Sequence, residues 1–297
     1  MNTVPVAQPV DAPDSGRMKT LLSLGHGYSA QALTRILLPR GWHVIGTTRS
    51  AAKARALENS GVEAVIWPGT DLGRPMSRAT HLLTSIAPTK TGDPVIGAAA
   101  ETLRAARHLD WVGYLSATGV YGDQGGGWVD EDAPTVPSTA RGQARLAAER
   151  AWADLGLPLH IFRLAGIYGP GRGPFEKVRQ GTARRIIKPG QVFSRIHVDD
   201  IAQVLAASID RPDPGRVYNV CDDEPAPPQD VLAHAAALLD LPPPPEVDFE
   251  AADLSPMARS FYSESKRVQN DRIKTELGVR LRYPDYRAGL AGLLASE

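Results

Sequence analysis

A chain of 297 residues can bury one large core, or a main domain with a smaller lobe. Its 33 basic and 33 acidic residues cancel, which argues against a nucleic-acid or anionic-membrane surface as partner, since both need a net positive field. The single cysteine, Cys221, leaves no internal disulfide framework and no multi-cysteine metal site, and it points to the cytoplasm.

No apolar stretch approaches the roughly 18 to 20 residues of a membrane span. Met1 to Arg17 carries three prolines, one glycine and two aspartates without an apolar run, so it reads as a disordered leader. The first predicted strand, Thr20 to Leu24, runs into Gly25-His26-Gly27-Tyr28-Ser29-Ala30 and then a helical pattern, Gln31 to Pro39. In that setting Gly25 permits the strand-to-helix turn. Gly27 lets backbone N–H groups approach a pyrophosphate, Tyr28 and Ser29 open the helix, and Ala30 allows close helix-to-strand packing.

Further strands are expected at His43 to Thr47, Ala64 to Trp67, His81 to Ser85, Val112 to Ser116 and Leu159 to Arg163. Helices between them are punctuated by Gly41, by Ser50 as a cap, by Gly61 and by Pro94, and Ala140 to Asp154 is rich in helix formers. Such alternation predicts an α/β fold: a Rossmann, doubly wound parallel sheet over 18–165, with a smaller C-terminal substrate lobe over 166–297, parts of which return to the core.

The end of the second strand selects the dinucleotide, because an acidic residue there accepts from a free ribose hydroxyl and a basic one pairs with a 2′-phosphate. Thr48, Arg49 and Ser50 stand there, with Lys53 one turn on, so NADP(H) is preferred over NAD(H). Without the glycine fingerprint, Arg49 and Lys53 would read as solvated surface cations.

After Arg163 a glycine- and proline-rich stretch leaves the sheet. Val217 to Val220 reads as a strand, Asp230 to Leu239 as a helix, and Pro242 to Pro245 as a stiff spacer. Asp199 and Asp200 lack ligands at metal spacing and are expected to cap the helix that starts at Ile201, so no metal site is expected. His197 reads as a hydrogen-bonded structural residue, Asp222-Asp223-Glu224 as a solvated turn, and Cys221 as a small buried side chain.

Tyr114 to Gly122 (YLSATGVYG), Arg163 to Arg172 (RLAGIYGPGR), Arg195 to Ala202 (RIHVDDIA) and Tyr218 to Pro225 (YNVCDDEP) occur in order. Together they resemble the extended short-chain dehydrogenase/reductase superfamily, over about Lys19 to Leu290. The usual YxxxK dyad is absent: alignment through Glu149 puts Arg141 at the tyrosine position and Arg145 at the lysine position. Ala117 stands where the epimerases have serine or threonine. Arginine cannot act as acid or base near neutral pH. The pattern looks like the NAD(P)-dependent epimerase/dehydratase-like branch of YeeZ type, which lacks YxxxK. That resemblance implies a bound dinucleotide, and relatives of the superfamily often form homodimers through helices flanking the fifth strand.

The resulting expectation is an NADP(H)-dependent oxidoreductase of a small molecule, with Tyr121, Ser116 and Thr118 around the reacting group. Tyr121 also reads as a packed aromatic whose hydroxyl fixes a loop. Arg145, Ser85, Ala87, Leu164, Ala165, Gly166 and Ile167 are assigned to the cofactor. Arg141, Tyr168 and Arg195 are assigned to substrate, with Arg141 alternatively paired to Glu149 or Asp154 and Arg195 to a surface carboxylate. Two other readings stay open: a dinucleotide-binding sensor without turnover, and a nucleotide-sugar epimerase or dehydratase, which leans on the missing tyrosine.

Overall fold

The computed structural model describes residues 17–297; the proposed leader, apart from Arg17, lies outside the described residues. In chain order the strands are β1 Thr20–Leu24, β2 His43–Thr48, β3 Glu63–Ile66, β4 His81–Thr84, β5 Trp111–Ala117, β6 Trp128–Val129, β7 Leu159–Leu164, β8 Gly166–Tyr168, β9 Arg185–Ile187, β10 Arg195–His197, β11 Val217–Val220, β12 Glu246–Asp248 and β13 Arg267–Val268. The helices are α1 Tyr28–Leu37, α2 Ala51–Asn59, α3 Gly73–Arg78, α4 Pro94–Ala105, α5 Ala140–Ala153, α6 Phe175–Arg179, α7 Val198–Asp210, α8 Pro228–Leu238, α9 Pro256–Phe261, α10 Asp271–Thr275 and α11 Tyr286–Ala295.

Seven strands form one sheet in the order β11-β7-β5-β4-β1-β2-β3, and every pairing is parallel. The expected α/β Rossmann architecture is therefore what the chain adopts. Both faces of the sheet are covered, so its strands read as continuous apolar runs: Leu21 packs in one core with Leu33, Trp111 and Ile201, and Leu22 in the other with Val95, Val112 and Trp152. Sequence spacing could not show that Val217–Val220 pairs with β7 as the sheet's edge strand, or that α7 packs on the same side as α1.

The α2 start is capped as expected, Ser50 Oγ accepting from Lys53 N at 3.4 Å. The α7 start is not capped by the adjacent aspartates. His197 Nδ1 accepts from Asp199 N at 3.2 Å, which keeps that ring nitrogen unprotonated. Asp200 instead ties down the chain before α11 by accepting from Arg282 N at 2.7 Å and Tyr283 N at 3.0 Å.

A third apolar cluster, with Tyr168, Phe175, Ala235, Tyr286 and Leu290, holds α6, α8 and α11 together. Short two-stranded pairs, β10 with β8, β12 with β9 and β13 with β6, stitch the later segments to the loops above the sheet. These segments and the carboxyl ends of β1, β4, β5 and β7 meet at the same edge, where open parallel sheets bind ligands.

Candidate active site

The glycine-rich turn is held in shape from three sides. Gly25 has φ +78°, and a Cβ there would lie 2.6 Å from Ile86 Cγ1, so only glycine fits. Its N–H donates to Thr47 Oγ1 at 2.8 Å, and Ser85 Oγ donates to its carbonyl oxygen. Ser85 thus shapes the turn rather than presenting a free hydroxyl. His26 is buried behind it, its N–H donating to Thr47 O at 2.9 Å, and burial pushes its imidazole down to about 4. Gly46 leaves room for that ring, since a Cβ there would lie 2.7 Å from His26 Cγ.

Gly27 is the N-cap of α1, and a Cβ there would meet nothing closer than Gly25 O at 3.8 Å. The helix start therefore presents N–H groups to open space, the arrangement that holds an anion. Ser29 is buried in the first turn of α1. Tyr28 Oη donates to Pro170 O at 2.9 Å, with the Arg172 guanidinium 4.5 Å from its ring centre, so this tyrosine ties the turn to the loop after β8. Beside the turn, Thr48 Oγ1 accepts from Ser50 N at 3.5 Å, and Arg49 is exposed with no ion pair among the described residues.

Next to the turn lies a cavity of about 720 Å³. It collects Ala87, Thr118, Arg145 and Leu164 through Ile167, together with Arg141, Tyr168 and Arg195. Ala117, Arg141 and Arg145, which stand at the positions of the usual catalytic groups, share this one wall. From α9 onward the chain adds Ser260, Phe261, Tyr262, Glu264 and Lys266, and Phe193 joins them from before β10. The segment after Pro245 and the stretch before β10 that carries Phe193 show neither helical nor strand periodicity, so tertiary packing and not a local pattern brings these side chains in.

Two of the three expected catalytic side chains are elsewhere. Ser116 is buried and pairs in register with Arg163 of β7, so both project to the face under α5. There the Ser116 hydroxyl donates to Glu149 Oε1, and Arg163 grips the same carboxylate, Nε to Oε1 at 3.2 Å and Nη2 to Oε2 at 2.9 Å. Tyr121 is wholly buried, accepts from Arg163 Nη1 at 3.0 Å and donates to Asn219 Oδ1 at 2.7 Å. Burial pushes its phenol up to about 12, and it does not line the cavity. Assigning Tyr121 and Ser116 to the reacting group is therefore corrected: both hydroxyls are committed to an internal network, and the cavity wall takes Ala117 from the end of β5 and Thr118 from the turn that follows it.

The arginines also differ from the sequence expectation. Arg141 does not pair with Glu149 or Asp154; its Nη2 donates to Ser260 Oγ at 2.8 Å, and its guanidinium lies 4.4 Å from the Phe261 ring centre. Arg145 Nη1 donates to Tyr114 Oη at 3.1 Å and to Leu115 O at 2.9 Å. Arg195 is no surface ion pair: Nη1 donates to Phe193 O at 2.8 Å and Ala226 O at 3.0 Å, and burial pulls its pKa down. Tyr168 lines the cavity with its ring only. Its hydroxyl sits against α11, where a Cβ at Gly289 would lie 1.9 Å from it, and burial pushes its pKa up.

Asp222 is not part of a solvated turn. It is 1% exposed, both carboxyl oxygens lack a hydrogen-bond partner, and burial pushes it from 3.8 up to about 8, against the pull of Arg195. The folded carboxyl thus keeps its proton where the unfolded one has lost it. Its contribution to stability is full below about pH 4 and disappears as pH rises toward about 8. Asp222→Asn should gain stability relative to the parent between pH 5 and pH 8.5 in urea denaturation; a constant difference across that range would contradict the assignment. Cys221 beside it is buried, its thiol donating to Val268 O at 3.1 Å.

Among the described residues there is no cluster of three or more His, Cys, Asp or Glu side chains able to hold a metal, and no helix long and apolar enough to cross a membrane. The sequence profile of the NAD dependent epimerase/dehydratase family matches residues 24–221, from the last residue of β1 to just past β11. The chain belongs to this family. Protein YeeZ of Escherichia coli K12 is 28% identical over 285 residues, covering 90% of this chain and 97% of its own. A 3-diazoavenalumate denitrifying reductase of a Streptomyces species is 28% identical over 311 residues, covering 92% and 99%. The solved structure of a functionally unknown conserved protein from Silicibacter pomeroyi is 61% identical, with a TM-score of 0.91 over 94% of this chain and 99% of that one. In this epimerase/dehydratase family member the glycine turn and the cavity both lie at the carboxyl edge of the sheet.

Proposed function

We propose that the protein is an NADP(H)-dependent oxidoreductase acting on a small molecule in the cytoplasm. The observation that carries this is the open helix start at Gly27 flanked on one side by unpaired, exposed Arg49 and on the other by the cavity. A bound dinucleotide would supply or accept hydride. Gly25, Gly27, Tyr28 and Ser29 form the turn for its pyrophosphate; Thr48, Arg49 and Ser50 face its adenosine ribose; Ala87, Arg145 and Leu164 through Ile167 line its nicotinamide end. With Tyr121 locked away, Thr118 and Tyr262 are the wall residues whose hydroxyls make no hydrogen bond among the described residues, whereas those of Thr139, Tyr168, Ser194 and Ser260 do; these two would exchange a proton. A relative that is named as a reductase supports the reaction class.

Fluorescence titration should give tighter binding of NADPH than of NADH. Arg49→Asp should weaken NADPH at least tenfold, since a charge-assisted pair contributes about 1.5–3 kcal/mol and each 1.4 kcal/mol is about tenfold. Equal affinity for the two dinucleotides in the parent would remove the phosphate preference. The replacement of the usual catalytic groups by Ala117, Arg141 and Arg145 favours a second reading, a sensor that binds without turnover. Tight NADPH binding with no NADPH consumption across carbonyl, imine and enone substrates would select it.

A further inference from the structure

The cavity wall carries positive charge that the protein leaves unneutralised. Arg141, Arg145 and Arg195 all line it, and none of the three forms an ion pair among the described residues. The fourth cation, Lys266, is matched by Glu264 at 2.7 Å. Arg145 is directed inward, to Tyr114 and Leu115, and Arg141 is exposed at the mouth.

Arg195 is different from both. Two backbone carbonyls fix its Nη1, while Nε and Nη2 have no protein acceptor among the described residues. The carboxyl group acting on it most strongly, Asp222, lies beyond ion-pair distance, and burial pushes its pKa up. Asp222 itself also faces Asp223, Asp285 and the backbone of Glu224, and Tyr168, Tyr262 and Tyr286 act on Arg195 from the other side, so among the described residues no carboxylate pairs directly with this guanidinium. A half-buried guanidinium that is immobilised yet unpaired is costly, and a planar fork with one edge open matches a carboxylate. Around it the wall is apolar or aromatic, with Ile167, Val192, Phe193 and Tyr262.

We propose that the substrate is a small carboxylate with an apolar body, its carboxylate held by the Nε–Nη2 edge of Arg195 and its body packed against Phe193, Tyr262 and Ile167. This rests on the cavity being the substrate end of the dinucleotide site. A volume of about 720 Å³ shared with a nicotinamide leaves room for a molecule of one or two rings.

The test is calorimetric titration of the full chain with benzoate, with its neutral isostere benzamide and with phenyl phosphate, each with and without saturating NADPH. Benzoate should bind at least tenfold tighter than benzamide, and tighter than phenyl phosphate. Arg195→Gln should bring benzoate down to the level of benzamide while NADPH affinity stays within twofold. Arg195→Lys, which keeps the charge and loses the fork, should fall between. Equal binding of benzoate and benzamide to the parent, tighter binding of phenyl phosphate, or full benzoate affinity in Arg195→Gln would overturn the proposal. The comparison of ligands on the parent decides the matter even where a variant folds poorly. Failure of NADPH to bind would strike the dinucleotide reading alone, because the titrations without NADPH still read the anion site.

Discussion

Glu149→Ala is expected to lower the unfolding free energy by about 3–5 kcal/mol, the range for removing one partner of a buried ion pair. Glu149 and Arg163 side chains are only 5% and 8% exposed, and the pair is bidentate, with its closest contact 2.9 Å. Truncation strands the guanidinium in the interior, deprives the Ser116 hydroxyl of its acceptor and loosens the Tyr121–Asn219 link. Such a loss is a large share of the roughly 5–15 kcal/mol that holds a typical domain together. Urea denaturation at pH 7 measures it. Replacing both partners, Glu149→Leu with Arg163→Met, should recover much of the loss, because two apolar groups of similar size carry no unmet charge. A deficit below about 1 kcal/mol in Glu149→Ala would mean that solvent or a rearranged partner compensates, and the pair is then of the weak surface kind.

Gly27→Asp should separate folding from binding. The backbone there has φ −99° and ψ −155°, which any residue adopts, and a Cβ has free space around it. As an N-cap side chain the new carboxylate can accept from the first turn of α1, which stabilises a helix by about a few tenths of a kcal/mol relative to a glycine cap. Thermal stability should therefore match or exceed the parent's. The same carboxylate would occupy the anion position at the helix start and repel a pyrophosphate, so NADPH affinity should fall more than a hundredfold, about 2.8 kcal/mol. Unchanged affinity in a well-folded variant would move the pyrophosphate away from this turn.

The contrast between Gly27 and Tyr121 shows how the two levels of information divide. Gly25 and Gly27 were legible because a strand, a tight turn and a helix start are local events, each set by a few neighbouring residues. The same holds for Arg49 and Ser50, which follow directly on β2, and for the strands of the sheet, whose continuous apolar runs record burial on both faces. The family was legible for the same reason, since its motifs are short and contiguous.

Tyr121, Ser116, Asp222 and Arg195 could not be placed that way. Whether Tyr121 meets a substrate or Arg163 and Asn219 depends on which side chains arrive from positions 42 and 98 residues away. Whether Asp222 is solvated or buried depends on how the late segments close over β11. Tyr262 and Phe193 enter the cavity from stretches without periodicity, so no local pattern marks them.

The residues alone determined six of the sheet's seven strands, the glycine-rich turn after β1 and the absence of YxxxK, because backbone geometry, chain adjacency and side-chain chemistry suffice for each. Only the tertiary structure decided that the serine and tyrosine beside the VYG segment are buried scaffolding and that three arginines share one cavity. Burial and long-range pairing are set by the whole packed chain, and they determine which polar groups remain free to meet a ligand.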